Sequence, residues 1–156
     1  MNTTVSDAAV SSIDRLITPT RSRATDAIAG KLRTIWMFLK FTFVLVPIVA
    51  GLDKFTNLLT NWEIYLNPML ARVLPFSPHI FMQIAGVIEV IAGLIVFYRP
   101  RLGALIVTAW LGSIALSLLA SGHYLDVAVR DAVMAIAAFT LANLTPIIES
   151  SGKEQQ

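Results

Sequence analysis

Cysteine is absent from the 156 residues of this chain, and charged side chains make up only 14% of them. Without cysteine there are no disulfides, no thiolate metal ligands, no iron–sulfur ligation and no thiol nucleophile. Any redox role therefore needs a bound cofactor or the chemistry of a partner protein. The sequence also lacks the phosphate-binding, dinucleotide-binding, zinc-protease and serine-hydrolase motifs, so it assigns no catalytic residue and leaves open whether the chain is an enzyme. We predict no metal site.

Long apolar stretches take up much of the chain. Four of them, at 35–52, 80–98, 102–120 and 127–144, are 18 or 19 residues long. At about 1.5 Å of rise per residue, each would span roughly 27 to 29 Å as a helix, close to the hydrocarbon thickness of a bilayer. The sequence therefore predicts an all-α membrane protein, an antiparallel bundle of four transmembrane helices. A net charge of only +2 gives no reason to expect nucleic-acid binding.

Basic residues are distributed unequally between the two ends of the predicted helices. One side has Arg15, Arg21, Arg23, Lys31, Arg33, Arg99, Arg101 and Lys153, and the other has Lys54, Arg72 and Arg130. By the positive-inside rule we expect both termini in the cytoplasm, with residues 1–34 and 145–156 as tails, the first partly amphipathic or disordered. Because a long polar segment precedes the first apolar stretch, we expect a retained anchor rather than a cleaved signal.

The segment between the first two apolar stretches has a pattern of its own. Apolar residues recur over 55–74 at helical spacing, and Pro68 interrupts them. We predict two short helices on the outer membrane surface, with Trp62 and Tyr65 at headgroup level. The segment is either a lid over a cavity in the bundle or a plain connection along the membrane, and we favour the connection. A weaker apolar pattern in the N-terminal tail is predicted to stop at Pro19.

Small residues indicate how the helices pack. Serine and alanine recur at three-to-four spacing, which lets two helices approach closely in lipid. These residues are Ser113, Ser117, Ser121, Ala128, Ala132, Ala135, Ala138 and Ala142. We therefore expect the third and fourth helices to form an antiparallel hairpin, although such faces also fit contacts between copies in a homo-oligomer. In the second helix, Gly86, Glu89 and Gly93 share one face and are predicted to turn toward one neighbour.

Glu89 is an acidic residue near the middle of the second apolar stretch, about 13.5 Å from its outer end. An ionised carboxylate there is costly, so it must face the bundle interior, be protonated or pair with a cation. Lys40 is the nearest candidate cation in depth, although it can also reach the cytoplasmic interface. Two interpretations stay open. Glu89 is a proton relay or ligand contact, or it is a protonated carboxyl bonded to Ser113, Ser117 or Gln83.

A second group of polar residues is predicted at the outer ends of the helices. It contains Asp53, Lys54, His79, His123, Tyr124, Asp126, Arg130 and Asp131. We expect Arg130 to pair with Asp126 at i, i+4 spacing and to reach Asp53. Helix capping and ion pairs would explain the whole group, and we favour that explanation. The alternative is a polar pocket for a head group, a quinone or a soluble partner. The two histidines sit at helix ends, which disfavours haem ligation.

Three short motifs are similar to those of the DoxX-like family of bacterial membrane proteins. They are the run Gly-Leu-Asp-Lys-Phe at 51–55, the Gly86, Glu89 and Gly93 pattern, and the run from Asp126 to Asp131. The resemblance covers about residues 35–144. It implies a four-helix bundle in the bacterial inner membrane, and some relatives are linked with thiosulfate:quinone oxidoreductase or with redox partner complexes. The family positions correspond here to Asp53, Lys54, Glu89, Arg130 and Asp131.

Three functions follow as hypotheses, in this order. The first is a non-catalytic membrane subunit or scaffold of a redox or stress-response complex, with a soluble or membrane enzyme as partner. The second is a subunit of a quinone-linked oxidoreductase of the thiosulfate:quinone type, with quinone as cofactor. The third is a protein that binds or moves a small amphiphile. The candidates for ligand binding or proton relay are Glu89, Asp53, Lys54, Arg130, Asp131, Asp126 and His123.

Overall fold

The computed structural model describes the backbone of residues 4–153 and the side chains of residues 25–152. Five α-helices and one short 3₁₀ helix make up this part of the chain, and it contains no strand. The α-helices are α1 (Thr4–Thr56), α2 (Pro68–Val73), α3 (Pro78–Tyr98), α4 (Pro100–Ser121) and α5 (Leu125–Lys153). The 3₁₀ helix (Trp62–Tyr65) lies between α1 and α2.

Four of these helices are long and apolar enough to cross a membrane. The segments are Thr25–Thr56, Pro78–Tyr98, Pro100–Ser121 and Leu125–Gly152. This confirms the predicted all-α fold with four membrane helices. The helices α3 and α4 each begin at a proline that precedes the corresponding apolar stretch. Pro78 and Pro100 occupy the first turns of α3 and α4, where a missing N–H costs no hydrogen bond.

The helix α1 is much longer than a bilayer requires. Its 53 residues extend about 80 Å at 1.5 Å per residue. The prediction that Pro19 stops the helical pattern of the tail is wrong, because α1 continues through it. Proline removes one hydrogen bond of the helix ladder, and it can kink a helix instead of ending it. Side chains before Thr25 lie outside the described residues, so the amphipathic face of the tail stays a prediction.

The bundle consists of two tightly packed helix pairs, α1 with α3 and α4 with α5, which contact each other less extensively. Glycines bring α1 and α3 together: a Cβ on Gly51 would lie 2.5 Å from the Gly86 carbonyl oxygen. A Cβ on Gly93 would lie 2.8 Å from Ile48 of α1. Since Glu89 also contacts α1, the prediction that this face of α3 turns toward one neighbour is confirmed.

The antiparallel hairpin of α4 and α5 is also confirmed. Three residues connect the two helices, and Gly122 ends α4 in the left-handed region with φ of 67°. The alanine face of α5 is buried at Ala128, Ala138 and Ala142. Of the serines of α4, Ser113 is exposed, whereas Ser117 and Ser121 are half-buried.

The apolar core fills the half of the bundle where α3 turns into α4. It consists of Phe43, Ala92, Val96, Ala104, Val107, Ala138, Leu141 and Ala142. At this end the Trp36 indole donates a hydrogen bond to the Thr145 hydroxyl, at 3.0 Å. The bond joins α1 to the C-terminal part of α5, so both run out of the bundle at the same end. The opposite half is less completely filled.

Candidate functional site

A cavity of about 640 Å³ lies between the two helix pairs, in the half of the bundle next to the α1–α3 connection. Most of its wall is apolar, and Phe43, Met82 and Val107 are among the residues that form it. Four charged side chains also reach the cavity, and they are Lys54, Glu89, Arg130 and Asp131. Pockets of this volume in proteins hold small organic ligands, with a few placed polar groups to orient them.

Lys54 and Glu89 form a buried ion pair on the wall of this cavity. The Lys54 ammonium lies 2.6 Å from Glu89 Oε2, and their side chains are 6% and 12% exposed. Glu89 Oε1 accepts a hydrogen bond from the indole N–H of Trp110, at 3.3 Å. Both carboxylate oxygens therefore have a donor, which offsets part of the cost of removing the pair from water.

The partner of Glu89 differs from the sequence-based expectation. Lys40 lies over the rings of Trp36 and Phe97, at 5.2 and 5.6 Å from their centroids. The packing of the helices at Gly86 explains why Lys54 is the partner of Glu89. A Cβ on Gly86 would lie 3.1 Å from the Cβ of Lys54. Gly86 therefore leaves room for the Lys54 side chain to extend along α3 toward Glu89.

The alternative partners proposed for a protonated Glu89 are engaged elsewhere. Gln83 lies 3.2 Å from His79, and the Ser113 hydroxyl donates to the Trp110 carbonyl at 2.7 Å. Ser117 accepts from Asn67. The carboxylate contacts a cation and an indole instead of these groups.

Trp62 connects the segment between α1 and α3 to the ion pair. Its indole N–H donates to Asp53 Oδ2 at 2.7 Å, and the Lys54 ammonium lies 3.7 Å from its ring centroid. Asp53 also accepts the backbone N–H groups of Leu58 and Leu59, at 2.9 and 3.1 Å. Asp53 thus fixes the chain just after α1 and orients the ring that covers Lys54.

The rest of the segment between α1 and α3 closes the same end of the cavity. The Asn67 amide donates to the Ser117 carbonyl at 3.0 Å, and its oxygen accepts from the N–H of Met69 at 2.9 Å, which caps α2. The ring of Tyr65 packs edge-on against Tyr124, with 5.1 Å between centroids. The two predicted short helices are present, and residues of both line the cavity. Because the segment covers the cavity, it fits the lid interpretation better than the plain connection that we favoured.

Arg130 and Asp131 form the second charged pair at the cavity. Arg130 Nε lies 3.5 Å from Asp131 Oδ1, and the two side chains are 59% and 9% exposed. The predicted pairs of Arg130 with Asp126 and Asp53 are wrong, since neither occurs among the described side chains. Asp126 is exposed in the first turn of α5, and the oxygens of Asp53 are occupied by Trp62 and backbone N–H groups.

The remaining sequence candidates lie away from the cavity. His79 contacts Glu63 Oε1 at 2.9 Å, and the ring of His123 contacts the Ser121 carbonyl at 2.7 Å. Asp126 lies in the first turn of α5, at the positive end of that helix. Within the described residues, no three potential ligands among histidine, aspartate and glutamate are grouped as a metal site.

Two tryptophans of the site were not among the candidates. Trp62 was assigned to the headgroup level, and Trp110 lies inside the third apolar stretch with no polar residue beside it in the sequence. A usable signal was present, because a buried indole N–H needs an acceptor and Glu89 is the acidic residue at comparable depth.

Comparisons with protein-family models, with curated proteins and with solved structures found no match. The cavity and its charged groups are therefore the basis on which a function is argued.

Proposed function

We propose that this chain is an integral membrane protein that binds a small amphiphile between its two helix pairs. The cavity carries the proposal, because one wall region is apolar while another holds the Lys54–Glu89 pair and Asp131. An amphiphile has an apolar body and a polar head, so it can satisfy both regions at once. On this ground we rank the third hypothesis ahead of the first two. The scaffold and the quinone-linked subunit stay predictions, and a quinone is one member of the proposed ligand class.

The resemblance to the DoxX-like family is consistent with the same site. Four of its five positions, Lys54, Glu89, Arg130 and Asp131, line the cavity, and the fifth, Asp53, binds the Trp62 indole. We propose on this ground that the chain is a DoxX-like protein of the bacterial inner membrane. The excess of basic residues at one end of the bundle supports cytoplasmic termini, and the cavity then lies in the outer half of the membrane.

The test is whether the purified protein retains an amphiphile that depends on the cavity. Ala85 is buried on the cavity wall, and the adjacent Ile84 is exposed and does not line it. Ala85→Phe therefore fills the cavity, whereas Ile84→Phe adds a ring outside it. Native mass spectrometry from mild detergent should find a bound amphiphile on the wild type and on Ile84→Phe, but not on Ala85→Phe. Equal retention by all three proteins, or none by any, would contradict the proposal.

A further inference from the structure

We infer that the ligand of the cavity is an electrically neutral amphiphile whose head carries a hydroxyl group. This inference rests on the proposed function and specifies its ligand. It follows from two properties of the cavity wall, the balance of its charges and the polar atoms that the protein leaves without a close partner.

The charges at the cavity balance. Lys54 and Arg130 supply two positive charges, and Glu89 and Asp131 supply two negative ones. A charged head group would leave one charge uncompensated in a largely apolar cavity, where the cost of an unpaired charge is high. A neutral head group avoids this cost, so the balance selects against carboxylate and ammonium amphiphiles.

The free polar atoms at the cavity are an acceptor and a donor. Asp131 is nine-tenths buried, and its contact with the protein is the long one from Arg130 to Oδ1, so Oδ2 has no partner among the described residues. Lys54 has three N–H groups, of which one binds Glu89 and the ring of Trp62 faces the ammonium. At least one N–H therefore has no acceptor in the described part of the chain.

A hydroxyl group matches this pair of free atoms, because it donates one hydrogen bond and accepts others. Its proton would bind Asp131 Oδ2, and its oxygen would accept from Lys54. Both residues line the same cavity, Lys54 from α1 and Asp131 from α5. The indole N–H groups of Trp62 and Trp110 do not compete, since Asp53 and Glu89 already accept them.

The test compares three brominated amphiphiles with the same chain and different heads: a bromododecanol, the bromododecanoate and the bromododecylammonium. Bromine quenches tryptophan fluorescence at short range. The chain has three tryptophans, and Trp36→Phe leaves Trp62 and Trp110, which both line the cavity. In this background the alcohol should quench saturably at a concentration at least about tenfold lower than the two charged amphiphiles, the change expected for one hydrogen bond to a charged group.

Two further variants test the assignment of Asp131. Asp131→Asn removes the free carboxylate and leaves the cavity one positive charge in excess, so the alcohol should lose about tenfold in affinity while the carboxylate gains. Asp126→Asn makes the same change of charge at an exposed position of α5 outside the cavity, and it should leave the order of the three ligands unchanged.

The outcomes separate this inference from the proposed function. Equal saturable quenching by all three heads, abolished by Ala85→Phe, would overturn the hydroxyl assignment and leave amphiphile binding intact. Tightest binding of the ammonium or the carboxylate to the Trp36→Phe protein would overturn it as well. No saturable quenching by any of the three would count against both proposals.

Discussion

Lys54, Glu89 and their two tryptophans form a buried polar cluster in which each group depends on the others. Glu89 binds Lys54 with one oxygen and Trp110 with the other, and Trp62 covers the ammonium with its ring. A buried ion pair contributes little net stability by itself, but removal of one partner leaves an uncompensated charge. The cluster should therefore tolerate paired changes better than single ones.

Glu89→Gln should destabilise the protein by about 3 to 5 kcal/mol, because the Lys54 ammonium, 6% exposed, would lose its counter-charge. The amide oxygen can still accept from Trp110, so the effect isolates the ion pair. Chemical unfolding in detergent measures the difference. The double variant Lys54→Met, Glu89→Gln should recover most of the loss. A double variant that is less stable than the single one would show that Lys54 is not the group left unpaired.

Trp62→Phe keeps an aromatic ring near Lys54 but removes the N–H that binds Asp53. We expect a small loss of stability, less than that of Glu89→Gln, because Asp53 keeps its backbone N–H donors. The loss should be local, so hydrogen exchange should accelerate in residues 57–66 while α4 and α5 keep their protection. Unchanged exchange in that segment would show that Asp53 holds it through the backbone N–H groups alone.

The sequence identified Glu89 as the carboxylate that needs a partner, and it did not identify Lys54 as that partner. Depth in the bilayer favoured Lys40, because position along each helix is all that a sequence gives. The pairing depends on the contact between α1 and α3 at Gly86, which leaves room for Lys54 to reach along the neighbouring helix. The glycines of α3 indicate a close neighbouring helix, but the local pattern does not show which residue of α1 lies opposite them.

At the scale of helices, glycine contacts hold α1 against α3. Gly51 and Gly86 lie so close that each blocks a side chain on the other. Gly112 of α4 is different, because a Cβ there would have no atom within 4 Å. The same substitution should therefore have opposite effects at the two kinds of site.

Gly86→Ala should cost about 1 to 3 kcal/mol, since the added methyl group forces the two backbones apart. Gly112→Ala should be neutral or stabilising by up to about 1 kcal/mol, because alanine favours the helix and meets no neighbour. Thermal unfolding in detergent compares the two variants with the wild type. Equal stability of both variants would mean that α1 and α3 do not pack at this contact.

Element boundaries were predictable where apolar length and turn residues agreed. The four membrane helices, the two short helices around Pro68 and the α4–α5 hairpin follow from such patterns. The continuation of α1 through Pro19 does not, because a proline inside a helix ordinarily indicates an end. The serines of α4 were predicted to pack closely against a neighbouring helix, but Ser113 and Ser117 line the cavity. Small residues permit close packing, and they can equally leave space.

At the scale of the whole molecule, the cavity results from two tight helix pairs that contact each other less closely. One end of the cavity is covered by residues 62–70, and the other end is closed by the apolar core around Phe43. If the termini lie in the cytoplasm, the cover faces the outside of the cell. The orientation of the bundle therefore decides from which side of the membrane a ligand meets the cover.

The absence of native cysteine allows this orientation to be tested by single cysteine substitutions. Met69 is exposed in α2, and Ser150 is exposed near the end of α5. A membrane-impermeant maleimide should label Met69→Cys in intact cells with an opened outer envelope. It should label Ser150→Cys only after the cell membrane is permeabilised, because the excess of basic residues predicts that this end lies in the cytoplasm. Labelling of Ser150→Cys before permeabilisation would reverse the orientation and place the covered end of the cavity on the cytoplasmic side.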